Sequence, residues 1–266
     1  RRLQVEQAMR WAREMICTPA NNKMVEEEIY PVLYRGAADY QASSAADVMA
    51  HIVLLDYECR GHSEKNIRIM REQLDKALTI DKGNVYAHAL MGYQMVLFDH
   101  SKDEAIVDRA MHHFSMALKD NRDNQFVRSY QYATLFSCKR YGKVLQLADE
   151  NRKNGEALPR GQCLRVLALY KNLWEFKDEK TIFDSLAPDD LLKTFQWLES
   201  CSGSPGPDLE WQFVRIRLME NTGDASGAAR SYEELAGRVN KEIASDDYWK
   251  EFMQKIKRRL KPGGAQ

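Results

Sequence analysis

The chain has 266 residues and a mass of 30.8 kDa, enough for one elongated domain or two compact ones. Apolar residues make up 44% and charged residues 29%, so it can bury a core and does not read as disordered. Its 39 Lys plus Arg balance 39 Asp plus Glu, which argues against a protein that holds nucleic acid by bulk charge. In chain order, Arg1-Arg2 opens where Met would be expected and reads as the start of a cut or processed fragment. Val5, Ala8, Met9, Ala12, Met15 and Ile16 then form one helical stripe, closed by Thr18-Pro19. Glu26-Glu27-Glu28 marks the start of the next helix, which Pro31 either kinks or splits. The longest apolar stretch, Val48 to Leu55, contains His51 and falls far short of the roughly 20 residues that cross a bilayer.

Helical spacing continues almost throughout, no run alternates strictly, and 14 Gly with 7 Pro are few for a sandwich of strands. An all-α chain is predicted, with more than about 60% helix. Five cysteines, Cys17, Cys59, Cys138, Cys163 and Cys201, are widely spaced and form no CxxC pair. They point to a reduced, cytoplasmic setting without a disulfide framework or zinc ribbon.

Internal repetition is the strongest signal. Residues 71–87 align without gaps on residues 111–127, at an offset of 40. Leu74 matches Phe114, Ala77 matches Ala117, Leu78 matches Leu118, Asn84 matches Asn124 and Tyr86 matches Phe126. Each copy reads as a helix end, a polar turn and a new helix start, with Asn84 and Asn124 as N-caps. Small Ala77 and Ala117 suit tight helix contacts, and Leu74, Gly92, Phe114, Leu118 and Trp211 are expected to be buried.

This pattern resembles the tetratricopeptide repeat, a unit of about 34 residues that folds as a helix pair. Gly92 falls in a first helix, and Ala110, Phe114 and Ala117 fall in the second at the family's steps. The family's turn proline is replaced by Lys82 and Arg122. The resemblance implies an α-solenoid of stacked antiparallel helix pairs, at about 45–80, 84–119, 124–153, 157–200 and 208–242. A helical lead-in (1–44) would precede this array (45–242), and a capping helix with tail (243–266) would follow it. The cap carries Trp249, Phe252, Ile256 and Leu260, and residues 202–207 form the one clear loop. The layout also resembles the C-terminal region of bacterial OmpR/ToxR-type winged-helix activators, and repeat regions that follow some class III adenylate cyclase domains.

Family geometry puts Tyr86, Ala89, Leu90, Tyr93, Val96 and Leu97 on the concave surface. It adds Phe126, Ser129, Tyr130, Ala133 and Phe136 from the next pair, and Arg160, Cys163, Leu167 and Tyr170 from a later one. Tyrosine suits a binding surface, because a broad apolar face and a hydroxyl come with few rotors to freeze. The expected groove residues are therefore Tyr86, Tyr93, Phe126, Ser129, Tyr130, Phe136, Arg160 and Tyr170. Positions where the family's carboxylate clamps carry Lys and Asn hold Ala89, Tyr93, Met49 and Val53 here. That favours an apolar peptide, a helix or a small amphipathic effector as the partner.

Signatures of nucleotide, zinc-protease and hydrolase sites are absent from the sequence. His112 and His113 point about 100° apart on a helix, so neither they nor His88 and His100 read as a metal set. Six basic residues between Lys250 and Lys261 read as a solvated face. The expectation is a non-enzymatic binding or sensor module without cofactor or metal, and without membrane or direct nucleic-acid contact. It would control an attached transcription-regulator domain; the alternative is a free-standing scaffold, and a homodimer is compatible with either.

Overall fold

The computed structural model describes residues 2–14, 18, 21–39, 42–60, 63–97, 103–175, 187–202, 209–242 and 254. Helix accounts for 85% of the structure, and no strand occurs among the described residues, so the class is all-α. The chain divides into two compact units, Arg1–Arg140 and Tyr141–Gln266. This boundary falls inside the third expected helix pair. The capping helix around Trp249, the basic run from Lys250 to Lys261, His100, Met15, Ile16, Cys17 and Pro19 lie outside the described residues, as do residues 203–207.

The first unit contains α1 (Arg2–Glu14), α2 (Asn22–Met24), a π-helical turn (Val25–Ile29) and α3 (Tyr30–Asp39). After these come α4 (Ala42–Cys59), α5 (Glu64–Ile80), α6 (Val85–Leu97), α7 (Glu104–Ala117) and α8 (Gln125–Ser137). The predicted stripe on α1 buries Val5, Ala8 and Ala12 in one cluster with α3 and α4. Pro31 does not split its element: it is the second residue of α3, one residue past the end of the π turn. Its missing N–H cannot return a hydrogen bond to the preceding turn, and the wider π turn accommodates that loss.

The apolar stretch from Val48 to Leu55 becomes the buried centre of α4, which packs against α1, α3, α5 and α6. A helix covered on several sides must be apolar nearly all round. Its polar exceptions are partnered. Asp56 accepts a 2.5 Å hydrogen bond from the Tyr30 hydroxyl and pairs with Arg60 at 3.2 Å. Burial raises the Asp56 carboxyl above its ordinary range, against the opposing pull of Tyr30 and Arg60.

Small residues set the α6–α7 approach. A Cβ on Gly92 would lie 2.9 Å from the Ala110 carbonyl oxygen and 3.1 Å from the Phe114 ring. Phe114, Leu74, Ala77, Ala117 and Leu118 are buried as the repeat predicts. Trp211 is half-buried instead of enclosed. Asn84 and Asn124 cap α6 and α8, accepting from the Ala87 and Val127 amides at 2.9 and 3.2 Å. Asn84 also donates to Asp47 Oδ1 at 2.7 Å, so one cap fastens α6 to α4.

The second unit holds α9 (Tyr141–Lys153), α10 (Arg160–Glu175), α11 (Pro188–Ser202), α12 (Leu209–Asn221) and α13 (Ala225–Glu242). Buried Asp149 of α9 accepts from Arg152 at 2.7 Å and from Thr194 of α11 at 3.1 Å, and pairs with Lys153 at 2.6 Å. Burial alone would raise the Asp149 carboxyl, but the hydrogen bonds from Lys153, Arg152 and Thr194 outweigh it and hold the group below its ordinary value.

Cys59 is disulfide-bonded, which corrects the expectation of wholly reduced thiols. Sequence spacing cannot reveal a pairing that depends on how helices pack. The expected cytoplasmic setting rested on reduced cysteines and draws no support from that bond. Cys138, Cys163 and Cys201 take part in no disulfide. No helix among the described residues is long and apolar enough to cross a membrane.

Candidate functional site

Four of the expected groove residues come together. The Tyr86 ring lies 5.2 Å from the Phe126 ring, centroid to centroid, and Phe126 lies 4.9 Å from Tyr130. Tyr130 in turn meets Tyr93 edge to face at 4.9 Å. The helical spacing of Tyr86 and Tyr93 on α6, and of Phe126 and Tyr130 on α8, puts each pair on one face of its helix. All four are half-buried. Their inner edges rest on two core clusters, one around Leu54, Leu74 and Leu90 and one around Phe114 and Val127.

The strip extends onto α4 at both ends. Tyr57 meets Tyr93 at 5.5 Å, with the two hydroxyls 3.1 Å apart. At the other end the His51 ring lies 4.5 Å from Tyr86, and the Arg13 guanidinium stands 5.7 Å from the Tyr86 ring centre. Six rings therefore run without a break over α4, α6 and α8, with a cation at one end and paired hydroxyls at the other. Edge-to-face contacts of this kind add about 0.5–1.5 kcal/mol each beyond their buried area.

His51 is 1% exposed and has a fixed tautomer. Its Nδ1 lies 2.7 Å from the Asp47 carbonyl oxygen, which can only accept, so Nδ1 carries the proton. Its Nε2 lies 2.8 Å from Arg13 Nη1, which can only donate, so Nε2 accepts. Burial, aided by the Arg13 cation, lowers the imidazolium pKa to about 4 and keeps the ring neutral near pH 7. Burial also raises the Tyr57 hydroxyl, with help from its bond to Tyr93, and raises Tyr130, with help from the Glu58 and Tyr93 charges. The strip thus presents neutral rings with Arg13 as its adjoining cation.

The remaining expected residues divide. Ser129 and Phe136 are half-buried on α8, Phe136 in its last turn. Tyr170 is 1% exposed and packs edge to face on Phe195 at 5.5 Å. It is a core residue of the second unit, which corrects its placement on a binding surface. Arg160 opens α10, and its side chain lies outside the described residues. Ala89, Leu90, Cys163 and Leu167 are closed off at 1% exposure or less, because their helices are covered on that side by neighbours.

Tyr57, His51 and Arg13 escaped the sequence reading. The 40-residue offset sets Val53 opposite Tyr93, whereas Tyr57, one helical turn further along α4, is the residue that meets it. The offset comes from α5 against α7 and does not carry over to α4. Arg13 reaches the strip only because α1 docks on α4.

Histidines also meet across helices. His88 Nδ1 lies 2.9 Å from His113 Nδ1, and His88 Nε2 lies 2.9 Å from the Lys82 carbonyl oxygen. The carbonyl puts a proton on His88 Nε2, so in the neutral ring His88 Nδ1 accepts and His113 Nδ1 donates. Burial and the neighbouring His88 and His112 lower the His113 pKa to about 4. Among the described residues no group of three or more His, Cys, Asp or Glu is placed to hold a metal ion.

No protein family, curated protein or solved structure matches the chain.

Proposed function

We propose that the chain is a binding module of tetratricopeptide-like helix pairs, and that its aromatic strip receives an apolar or amphipathic helix or peptide from a protein partner. The observation that carries this reading is the unbroken run from His51 through Tyr86, Phe126, Tyr130 and Tyr93 to Tyr57. A core needs rings enclosed, yet the five tyrosine and phenylalanine rings of the strip each remain half-buried. Rings of this kind are favoured anchors for helix-in-groove recognition, since they bury large area at small entropic cost. The Arg13 guanidinium beside Tyr86 favours a partner segment with a carboxylate near that end.

In the fuller form of this proposal the module is a sensor joined to a transcription-regulator domain, without catalysis of its own. Occupancy of the strip shifts that domain only if the partner binds its active and inactive arrangements with different affinity. The test is a titration of a strip-binding peptide against Tyr86→Ala and Tyr130→Ala, with Lys257→Ala in the basic C-terminal run as the comparison.

A further inference from the structure

A pocket of about 250 Å³ opens between α5, α6 and α7. It is lined by Arg71 and Asp75, by Met91 and Met95, and by Ile106 and Arg109, and shares no residue with the aromatic strip. Three charged groups therefore face a small space with one apolar side, and among the described residues none of the three is in an ion pair. The Arg71 Nε is buried without a hydrogen-bond partner, and its Nη2 reaches only the Gln94 carbonyl oxygen, at 3.5 Å. Gln94 itself is 1% exposed and leaves its side-chain Oε1 unpartnered. Buried polar atoms are nearly always paired, so the unpartnered Arg71 Nε, on a side chain that lines the pocket, marks a place where a hydrogen bond is still to be made.

The lining defines the chemistry that would make it. Two arginines line one pocket, and a carboxylate matches their forked donors. Asp75, one helical turn from Arg71, presents the opposite charge and suits an ammonium. Met91 and Met95 supply adaptable apolar wall, closed by Ile106. At about 30 Å³ per water-sized group, the volume holds about eight heavy atoms, the size of a small apolar amino acid.

We infer that this pocket binds a free apolar α-amino acid. Arg71 and Arg109 take the carboxylate, Asp75 takes the ammonium, and Met91, Met95 and Ile106 enclose the side chain. The inference stands apart from the strip, because neither its residues nor its ligand involve that surface.

Isothermal titration of the intact chain with L-leucine tests it, alongside leucinamide, which lacks the carboxylate, and 4-methylpentanoate, which lacks the ammonium. Saturable leucine binding is expected, with both analogues weaker by about tenfold or more. Arg109 and Asp75 are exposed, so Arg109→Gln and Asp75→Asn leave the core intact, which far-UV circular dichroism verifies. Arg109→Gln should weaken leucine by about tenfold, and Asp75→Asn should remove the preference for leucine over 4-methylpentanoate. No saturable binding of leucine up to about 10 mM would overturn the inference. So would leucine binding that survives both substitutions, or an analogue that binds as well as leucine.

Discussion

The hydroxyls of Tyr57 and Tyr93 lie 3.1 Å apart and join α4 to α6 at one end of the aromatic strip. Tyr93→Phe keeps the ring stack but leaves the half-buried Tyr57 hydroxyl without this partner, at a cost of about 1 kcal/mol. Tyr57→Phe should cost about the same. The double variant should cost clearly less than the sum, because either single change already breaks the bond between the two hydroxyls. Urea denaturation of the four proteins reads this directly, and additive losses would show that the hydroxyls are not coupled.

Much of this architecture is legible in the sequence. The match of Ala77 with Ala117 and of Leu74 with Phe114 marks positions that are all fully enclosed. Asn84 and Asn124 are recognisable as caps because their residue type follows a polar turn. The strip is only half legible. Tyr86, Tyr93, Phe126 and Tyr130 emerge from the repeat register, but Arg13 and His51 meet through docking of a helix outside the repeat. Tyr170 resembles them in type and helix position, and is nonetheless enclosed. A sequence gives the face a residue occupies on its own helix, not how much of that face a neighbouring element covers.

The α6–α7 contact predicts a reversal of ordinary helix propensity. Alanine is favoured over glycine in a helix by about 1 kcal/mol. At Gly92, however, an added Cβ would lie 2.9 Å from the Ala110 carbonyl oxygen, a backbone atom that cannot move aside. Gly92→Ala should therefore destabilise by about 1–3 kcal/mol. A higher melting temperature in the variant would show that α6 and α7 are further apart.

Acid should weaken the fold through two histidines whose surroundings hold them neutral, buried His51 and half-buried His113. His51 and His113 have folded pKa values of about 4, below the ordinary histidine value of 6.5. Between these values the unfolded chain binds protons that the folded chain refuses. The stability from this source is thus complete above pH 6.5 and falls as pH drops towards 4. For His51 the loss is on the order of 3 kcal/mol. His51→Gln should flatten that acid limb in chemical denaturation across this window. An unchanged limb would mean that His51 is not held neutral by its surroundings.

The strip itself is tested by binding. Amphipathic helical peptides selected from a randomised library against the intact chain are labelled, and the tightest is titrated by fluorescence anisotropy. Tyr86→Ala and Tyr130→Ala, each shown folded by circular dichroism, should lose about 2 kcal/mol of binding, roughly thirtyfold in affinity. Lys257→Ala should bind like the parent chain. If the ring variants keep full affinity while the lysine variant loses it, the run of half-buried rings is packing between helices and the binding surface lies in the basic C-terminal segment.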